Sequence, residues 1–112
     1  MKKPAILVLS LLLLSSFSAY STTDAQQQAI ESLGQLNGVA LQCRYNPDMQ
    51  LMKQAMVENL PKQRSLGELY DNATNAAFLG FAQQHKACPD NAEFTGTVSA
   101  AIDKLKQAFS HH

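Results

Sequence analysis

The chain has 112 residues, of which 46% are hydrophobic and 16% charged, with nine basic and nine acidic residues. This length suits a single domain and leaves no room for two. Basic residues are neither in excess nor clustered, which argues against nucleic acid and against anionic membrane surfaces as partners.

The first 21 residues are typical of a cleaved secretory signal peptide. Lys2 and Lys3 precede an apolar run over 5–14, and Ala19-Tyr20-Ser21 offers a small-x-small cleavage site. The run is shorter than the roughly 20 apolar residues that span a membrane. We therefore expect export to the periplasm and no membrane insertion after cleavage. Removing both lysines from the nine basic residues leaves seven against nine acidic, so the domain over 22–112 carries a formal charge of −2.

A first helix is predicted over 24–44. Thr23 and Gln26 stand three apart and have the residue types of a capping box. Apolar residues recur every three or four positions and share one face, namely Ala29, Leu33, Leu36, Ala40 and Cys43. Glycine costs about 1 kcal/mol inside a helix, so Gly34 and Gly38, four residues apart, predict close approach by a neighbouring helix, with a kink at Gly38 as the alternative.

A second helix is predicted over 47–59, with Asn46 as N-cap and Pro47 at the first helical position. Its methionines form one stripe, namely Met49, Met52 and Met56. A third helix is predicted from near Pro61 to as far as Lys86, because Pro89 prevents continuation past Cys88. Its inward face would hold Leu66, Leu69, Ala73, Ala76 and Gly80, flanked by Tyr70, Ala77 and Phe81.

A fourth helix is predicted over 91–109, with Asp90 and Glu93 as a cap pair. It has the cleanest amphipathic stripe of the chain, namely Phe94, Val98, Ile102, Leu105 and Phe109. No segment alternates with period two, and no hairpin-type Asn-Gly or Asp-Gly turn occurs. The sequence therefore predicts an all-α fold, a small up-down-up-down four-helix bundle whose short connections make neighbouring helices antiparallel.

Both cysteines, Cys43 and Cys88, lie in the exported part. Disulfides persist in oxidising compartments and support small domains with limited cores. The two residues end the first and third helices, which lie on the same side of an up-down-up-down bundle. We therefore predict a Cys43–Cys88 disulfide. A redox-active pair is the less favoured reading, because residues 45 apart form no C-x-x-C motif.

The methionine stripe admits three interpretations. Thioethers select Cu(I), methionine fills irregular core space, and methionine also lines adaptable binding surfaces. Histidine contributes little: His85 is expected in the last turn of the third helix, where a cation suits the helix dipole, and His111-His112 ends the chain. No structural zinc spacing is present, so no metal and no cofactor are expected.

The sequence carries no catalytic motif, and an enzyme is the least favoured class. Glu68 and Asp71 are spaced for one helical face, where carboxylates are usually solvated. No Ser-His-Asp set or glycine-rich phosphate loop occurs. Asn75 falls between the inward face of the third helix and its flank. A buried amide needs hydrogen-bond partners, so Asn75 would bond a carbonyl across the bundle or serve a ligand.

Two resemblances rest on short motifs. Asn75-x-x-Phe78-x-Gly80-Phe81 followed by Cys88 resembles a family of uncharacterised small secreted helical proteins of alphaproteobacteria. Further positions of that likeness are Leu33-Gly34, Leu36, Cys43, Gln54-Ala55, Pro61 and Arg64. It implies a helical domain with a cysteine pair and no particular function. The stretch with Ala87-Cys88, Asp90, Phe94, Val98, Asp103-Lys104 and Lys106 is more weakly similar to periplasmic acid-stress chaperones, which are small helical proteins with one disulfide.

These observations favour a non-catalytic periplasmic binding or accessory protein that holds an unknown protein partner in an apolar helical groove. The candidate groove residues are Met49, Met52, Met56, Tyr70, Asn75 and Phe78. The alternatives are an acid-stress chaperone that opens at low pH, and a carrier of a small ligand or of Cu(I).

Overall fold

A computed structural model describes residues 21–110. The predicted signal peptide, apart from Ser21, lies outside these residues, as do His111 and His112. Four helices account for most of the described chain: α1 (Asp24–Cys43), α2 (Asn46–Asn59), α3 (Arg64–Gln83) and α4 (Asn91–Ala108). The prediction of an all-α four-helix fold is confirmed, and the described residues contain no strand.

Local signals set most of the helix ends. The Thr23 hydroxyl accepts from the Gln26 backbone N–H, and the Gln26 side chain accepts from the Thr23 backbone N–H, which completes the predicted capping box. Asp90 caps α4 by accepting from the Glu93 backbone N–H at 3.1 Å. The N-terminus of α2 differs by one residue: Tyr45 is the N-cap, without a side-chain hydrogen bond, and Asn46 is the first helical residue.

The third helix is shorter than predicted at both ends. Leu60 has extended backbone angles, as expected for a residue before proline, and Gln63 is extended as well. The helix can therefore begin only at Arg64. At the other end, His85 has a φ of 52°, in the left-handed region where a helix cannot continue. His85 is thus exposed beyond the helix, and its predicted place in the last turn of α3 is wrong.

Helix directions alternate as predicted, but the closest neighbours are parallel. Gly34 of α1 lies against Tyr70 and Ala73 of α3, and one turn later Gly38 lies against Ala77, so both helices run the same way. Among the four helices described, α3 brings its Cα atoms within 8 Å of α1 alone, whereas α1, α2 and α4 all approach one another. In the described residues α1, α2 and α4 thus pack against one another, while the backbone of α3 packs on α1.

The Gly34–Gly38 pair makes that attachment possible, as the spacing predicted. A Cβ atom on Gly34 would lie 2.7 Å from the Ala73 Cβ atom, and one on Gly38 would lie 2.6 Å from the Thr74 carbonyl oxygen. Only hydrogen fits in those spaces, so the two backbones are in direct contact. The contact is also polar, because the Asn37 side chain donates to the Thr74 hydroxyl and Gln42 donates to the Phe78 carbonyl oxygen, each at 3.2 Å.

The hydrophobic core lies mainly between α1, α2 and α4. Its fully buried large side chains are Ile30, Leu33, Met52, Val98 and Leu105. Helix α3 adds Leu66 and Tyr70 to the same cluster. The Cys43–Cys88 disulfide is present, as predicted, with its Cα atoms 5.7 Å apart, and it ties the end of α1 to the segment between α3 and α4.

One carboxylate, that of Asp48, is buried among the described residues, with 2% of its surface exposed. It accepts hydrogen bonds from the Thr95 hydroxyl at 2.9 Å and from the Asn91 side-chain amide at 3.2 Å. These bonds tie the first turn of α2 to the first turns of α4. Hydrogen bonds to a charged group contribute about 1.5–3 kcal/mol each, so Asp48 stabilises the pairing of α2 with α4.

We expect Asp48→Asn to lower the free energy of unfolding by about 2 kcal/mol. The amide NH2 group that replaces one carboxylate oxygen cannot accept, so it would face the donor of Asn91 or Thr95 without forming the present hydrogen bond. Urea denaturation at neutral pH measures the change. Asp103→Asn is the matched control, since Asp103 is an exposed carboxylate on α4 and its replacement should change stability by less than about 0.5 kcal/mol. Equal effects of the two substitutions would contradict this role of Asp48.

Candidate functional site

The candidate site is a groove between α2 and α3, which we call the α2–α3 groove. It exists because α3 packs on α1 and never brings its backbone close to that of α2. Its volume is about 440 Å³. It is lined by Asn37, Met49, Gln50, Lys53, Met56, Val57, Gly67, Tyr70 and Asp71. Asn37, from α1, is the one member of this set that belongs to neither wall.

The groove wall on α2 is apolar and partly open to solvent. Val57 is 66% exposed, more than any other large apolar side chain in residues 21–110. Met49 is half-buried and Met56 is buried. Methionine side chains are flexible and polarisable, so a surface that contains them can adapt to different apolar shapes. The opposite wall contributes Gly67, where a Cβ atom would meet nothing within 4 Å.

The structure separates the three methionines predicted to act together. Met52 has 0% exposure and belongs to the core, whereas Met49 and Met56 line the groove. Three thioethers therefore do not meet at one open site. Core packing accounts for Met52, and a groove lining accounts for the other two.

Of the three α3 residues assigned to the site from the sequence, one lines the groove. Tyr70 does, while Asn75 is exposed and Phe78 is half-buried outside the groove lining. The prediction that Asn75 is buried is wrong: the neighbouring Thr74 is buried instead, and its hydroxyl donates to the Tyr70 carbonyl oxygen at 2.9 Å. Adjacent residues on a helix point about 100° apart, so an error of one position moves a side chain from the core to solvent.

Tyr70 carries the most unusual polar group of the site. Only 9% of the residue is exposed, and its hydroxyl is the one buried side-chain polar atom without a hydrogen-bond partner in residues 21–110. Burial, and secondly the negative charge of Asp71, raise the pKa of Tyr70 well above its usual value. The hydroxyl therefore stays protonated under physiological conditions. It offers a hydrogen-bond donor next to the groove and lacks an acceptor.

Tyr70→Phe should stabilise the free protein by about 1 kcal/mol at neutral pH, because it removes a buried polar group that makes no hydrogen bond. The gain should grow above pH 10. There the unfolded tyrosine ionises at its ordinary pKa of 10.0 while the folded one remains protonated, so the wild-type protein loses up to about 1.4 kcal/mol per pH unit relative to the variant. Urea denaturation of both proteins between pH 7 and pH 11 measures this. Parallel curves across that range would contradict the burial of the hydroxyl.

A second and larger groove, of about 710 Å³, lies between α1 and α4. Small residues line much of it, among them Ala25, Ala29, Ser32, Ala100 and Ala101. The groove owes its size to the shortness of these side chains. It holds no buried polar atom that lacks a partner within the described chain. We place the candidate site in the smaller α2–α3 groove because Tyr70, whose buried hydroxyl has no hydrogen-bond partner in the described chain, lines that groove.

Of the other polar residues considered from the sequence, Asp71 lines the α2–α3 groove, whereas Glu68 and His85 do not. Glu68, Asp71 and His85 are all exposed, and no three His, Cys, Asp or Glu side chains within 21–110 come together as a metal site would require. No helix in that part of the chain is long and apolar enough to cross a membrane.

Comparisons of the chain with protein-family models, with curated proteins and with solved structures found no match.

Proposed function

We propose that this protein is a non-catalytic binding or accessory protein of the periplasm that holds a protein partner in the α2–α3 groove. The observation that carries the proposal is the apolar α2 wall of the groove, in which Val57 is exposed and Met49 half-buried beside the buried Met56. Exposed apolar surface beside polar groups is typical of interaction sites. The groups that border the groove suit recognition better than covalent chemistry, because no nucleophile is paired with a base there.

Site-specific photocrosslinking in intact cells tests the proposal. p-Benzoylphenylalanine replaces Val57 in the groove or, as a control, Lys104 in the α1–α4 groove. We expect one crosslinked partner from position 57 at both neutral and acidic pH, and none from position 104. Equal crosslinking from both positions, or none from position 57, would contradict the use of this groove.

A groove-blocking variant makes the same experiment specific. Gly67→Leu places a large side chain into open space at the groove wall, so it should fold and yet prevent crosslinking from position 57. Gly96→Leu is the matched control, because a Cβ atom at Gly96 of α4 also meets nothing within 4 Å but lies outside the groove. We expect the Gly96 variant to crosslink like the parent protein.

An acid-stress chaperone is the second candidate, and exposed apolar side chains favour it. Leu51, Val57 and Leu79 are 44%, 66% and 56% exposed, and exposed apolar surface marks sites where other proteins bind. Many crosslinked clients at acidic pH alone would support this function. Thermal stability that stays unchanged between pH 7 and pH 3 would exclude it.

A further inference from the structure

The unpartnered hydroxyl of Tyr70 indicates what kind of ligand the groove accepts. Tyr70 lies in the groove wall, on a helix held in place by the close backbone contact with α1. Its protonated hydroxyl can donate one hydrogen bond, and no acceptor in the described chain receives it. A buried donor without an acceptor destabilises the free protein. A ligand that supplies an oxygen acceptor removes this cost on binding.

The charges around the groove favour an uncharged acceptor. Asp71, the residue after Tyr70, carries a negative charge that already disfavours a phenolate at Tyr70. The same field disfavours a carboxylate or phosphate placed against the hydroxyl. Lys53 on the α2 wall balances the charge of Asp71, so the groove as a whole is neutral. A carbonyl oxygen of an amide fits this field better than an anion does.

The rest of the lining suits a peptide chain. Gln50 has a side-chain amide with both donor and acceptor atoms, which can pair with backbone N–H and C=O groups. Met49, Met56 and Val57 provide an adaptable apolar surface for side chains. The volume of about 440 Å³ lies within the range of pockets that take small ligands, so a short segment fits, and a whole helix does not.

We propose that the α2–α3 groove binds a short, uncharged, apolar peptide segment, one backbone carbonyl of which accepts a hydrogen bond from the Tyr70 hydroxyl. The proposal rests on the binding function assigned above and names its ligand class. Tyr70 is then a specificity-determining residue: its hydroxyl selects an amide carbonyl over an anionic or purely apolar ligand. Because the hydroxyl is buried in the free protein, this hydrogen bond requires groove side chains such as Met49 and Met56, which are flexible, to move aside on binding.

The test uses the disulfide-bonded protein, immobilised, and a pooled library of N-acetylated, C-amidated decapeptides without charged residues. We expect retention of apolar peptides, with dissociation constants then measured by titration calorimetry. Tyr70→Phe should weaken binding about five- to tenfold, the effect of one hydrogen bond, although the same substitution stabilises the free protein. If Tyr70 had a purely structural role, Tyr70→Phe would not both stabilise the free protein and weaken peptide binding. Gly67→Leu should abolish retention, and Gly96→Leu should leave it unchanged.

Separate outcomes distinguish the ligand class from the binding function. If laurate binds in the groove, loses its binding in Gly67→Leu and outcompetes every peptide, the peptide class is wrong while the groove remains a binding site. Peptide binding that Tyr70→Phe leaves unchanged would remove Tyr70 from recognition. If neither peptides nor laurate bind, the ligand class proposed here is wrong, and crosslinking from position 57 then decides alone whether the groove has a partner.

Discussion

Gly38→Ala should lower the free energy of unfolding by about 3 kcal/mol or more. The added Cβ atom would lie 2.6 Å from the Thr74 carbonyl oxygen and 2.8 Å from both the Ala77 Cβ atom and the Phe78 backbone nitrogen. Two of these three neighbours are backbone atoms, which cannot rotate away. Helix α3 must therefore move off α1, its only close neighbour among the described helices. Overpacking of this kind costs about 1–3 kcal/mol, occasionally more.

The control for Gly38→Ala is Gly96→Ala on α4. Both residues lie inside helices, but an added Cβ atom at Gly96 meets nothing within 4 Å. Alanine is favoured over glycine in helices by about 1 kcal/mol, so Gly96→Ala should stabilise the protein where Gly38→Ala destabilises it. Urea denaturation with the disulfide intact measures both. A Gly38→Ala protein as stable as the wild type would mean that α1 and α3 are not in backbone contact.

Removal of the disulfide in Cys43→Ala/Cys88→Ala should lower the free energy of unfolding by about 4 kcal/mol. The bond joins residues 45 apart in sequence, and closing a loop of that length restricts the unfolded chain by about this amount on the chain-entropy model. Small domains are stable by about 5–15 kcal/mol in total. The loss would therefore bring the protein close to unfolding, and α3 should separate first because α1 is the one described helix whose backbone it approaches.

Denaturant unfolding and hydrogen exchange measure the two parts of this prediction. The double variant and the reduced wild-type protein should have the same midpoint, because both lack the same bond. Amide exchange should become faster in α3 than in α4. A double variant within about 1 kcal/mol of the oxidised protein would show that the bond contributes little and that the contact around Gly34 and Gly38 suffices.

The two effects concern one structural relationship, the attachment of α3 to α1, and the candidate site depends on it. Glycines and disulfide hold α3 where it leaves a gap beside α2, with Tyr70 on one wall and Val57 on the other. Variants that displace α3 should therefore weaken binding even though they touch no groove residue. Loss of binding in Gly38→Ala would be explained by this displacement, whereas Gly67→Leu would block the groove in a folded protein.

The sequence by itself determined the features that depend on neighbouring residues. Capping at Thr23 and Asp90, together with the three- and four-residue apolar spacing, placed the four helices within a few residues. The C-terminal end of α3 was predicted too late because the left-handed conformation of His85 has no sequence signal as strong as glycine would give. The glycine spacing predicted a close helix contact, and the position of the cysteines at helix ends predicted their bond.

Only the tertiary structure decided which helices face each other. Short connections fix alternating directions but allow either a square bundle or the observed arrangement, in which α3 packs in parallel on α1 alone. That choice buried Met52, left Val57 exposed and turned Thr74 inwards in place of Asn75. It also enclosed the Tyr70 hydroxyl without a partner. Burial of a side chain depends on the neighbour that covers it, and the spacing of residues within one helix cannot specify that neighbour.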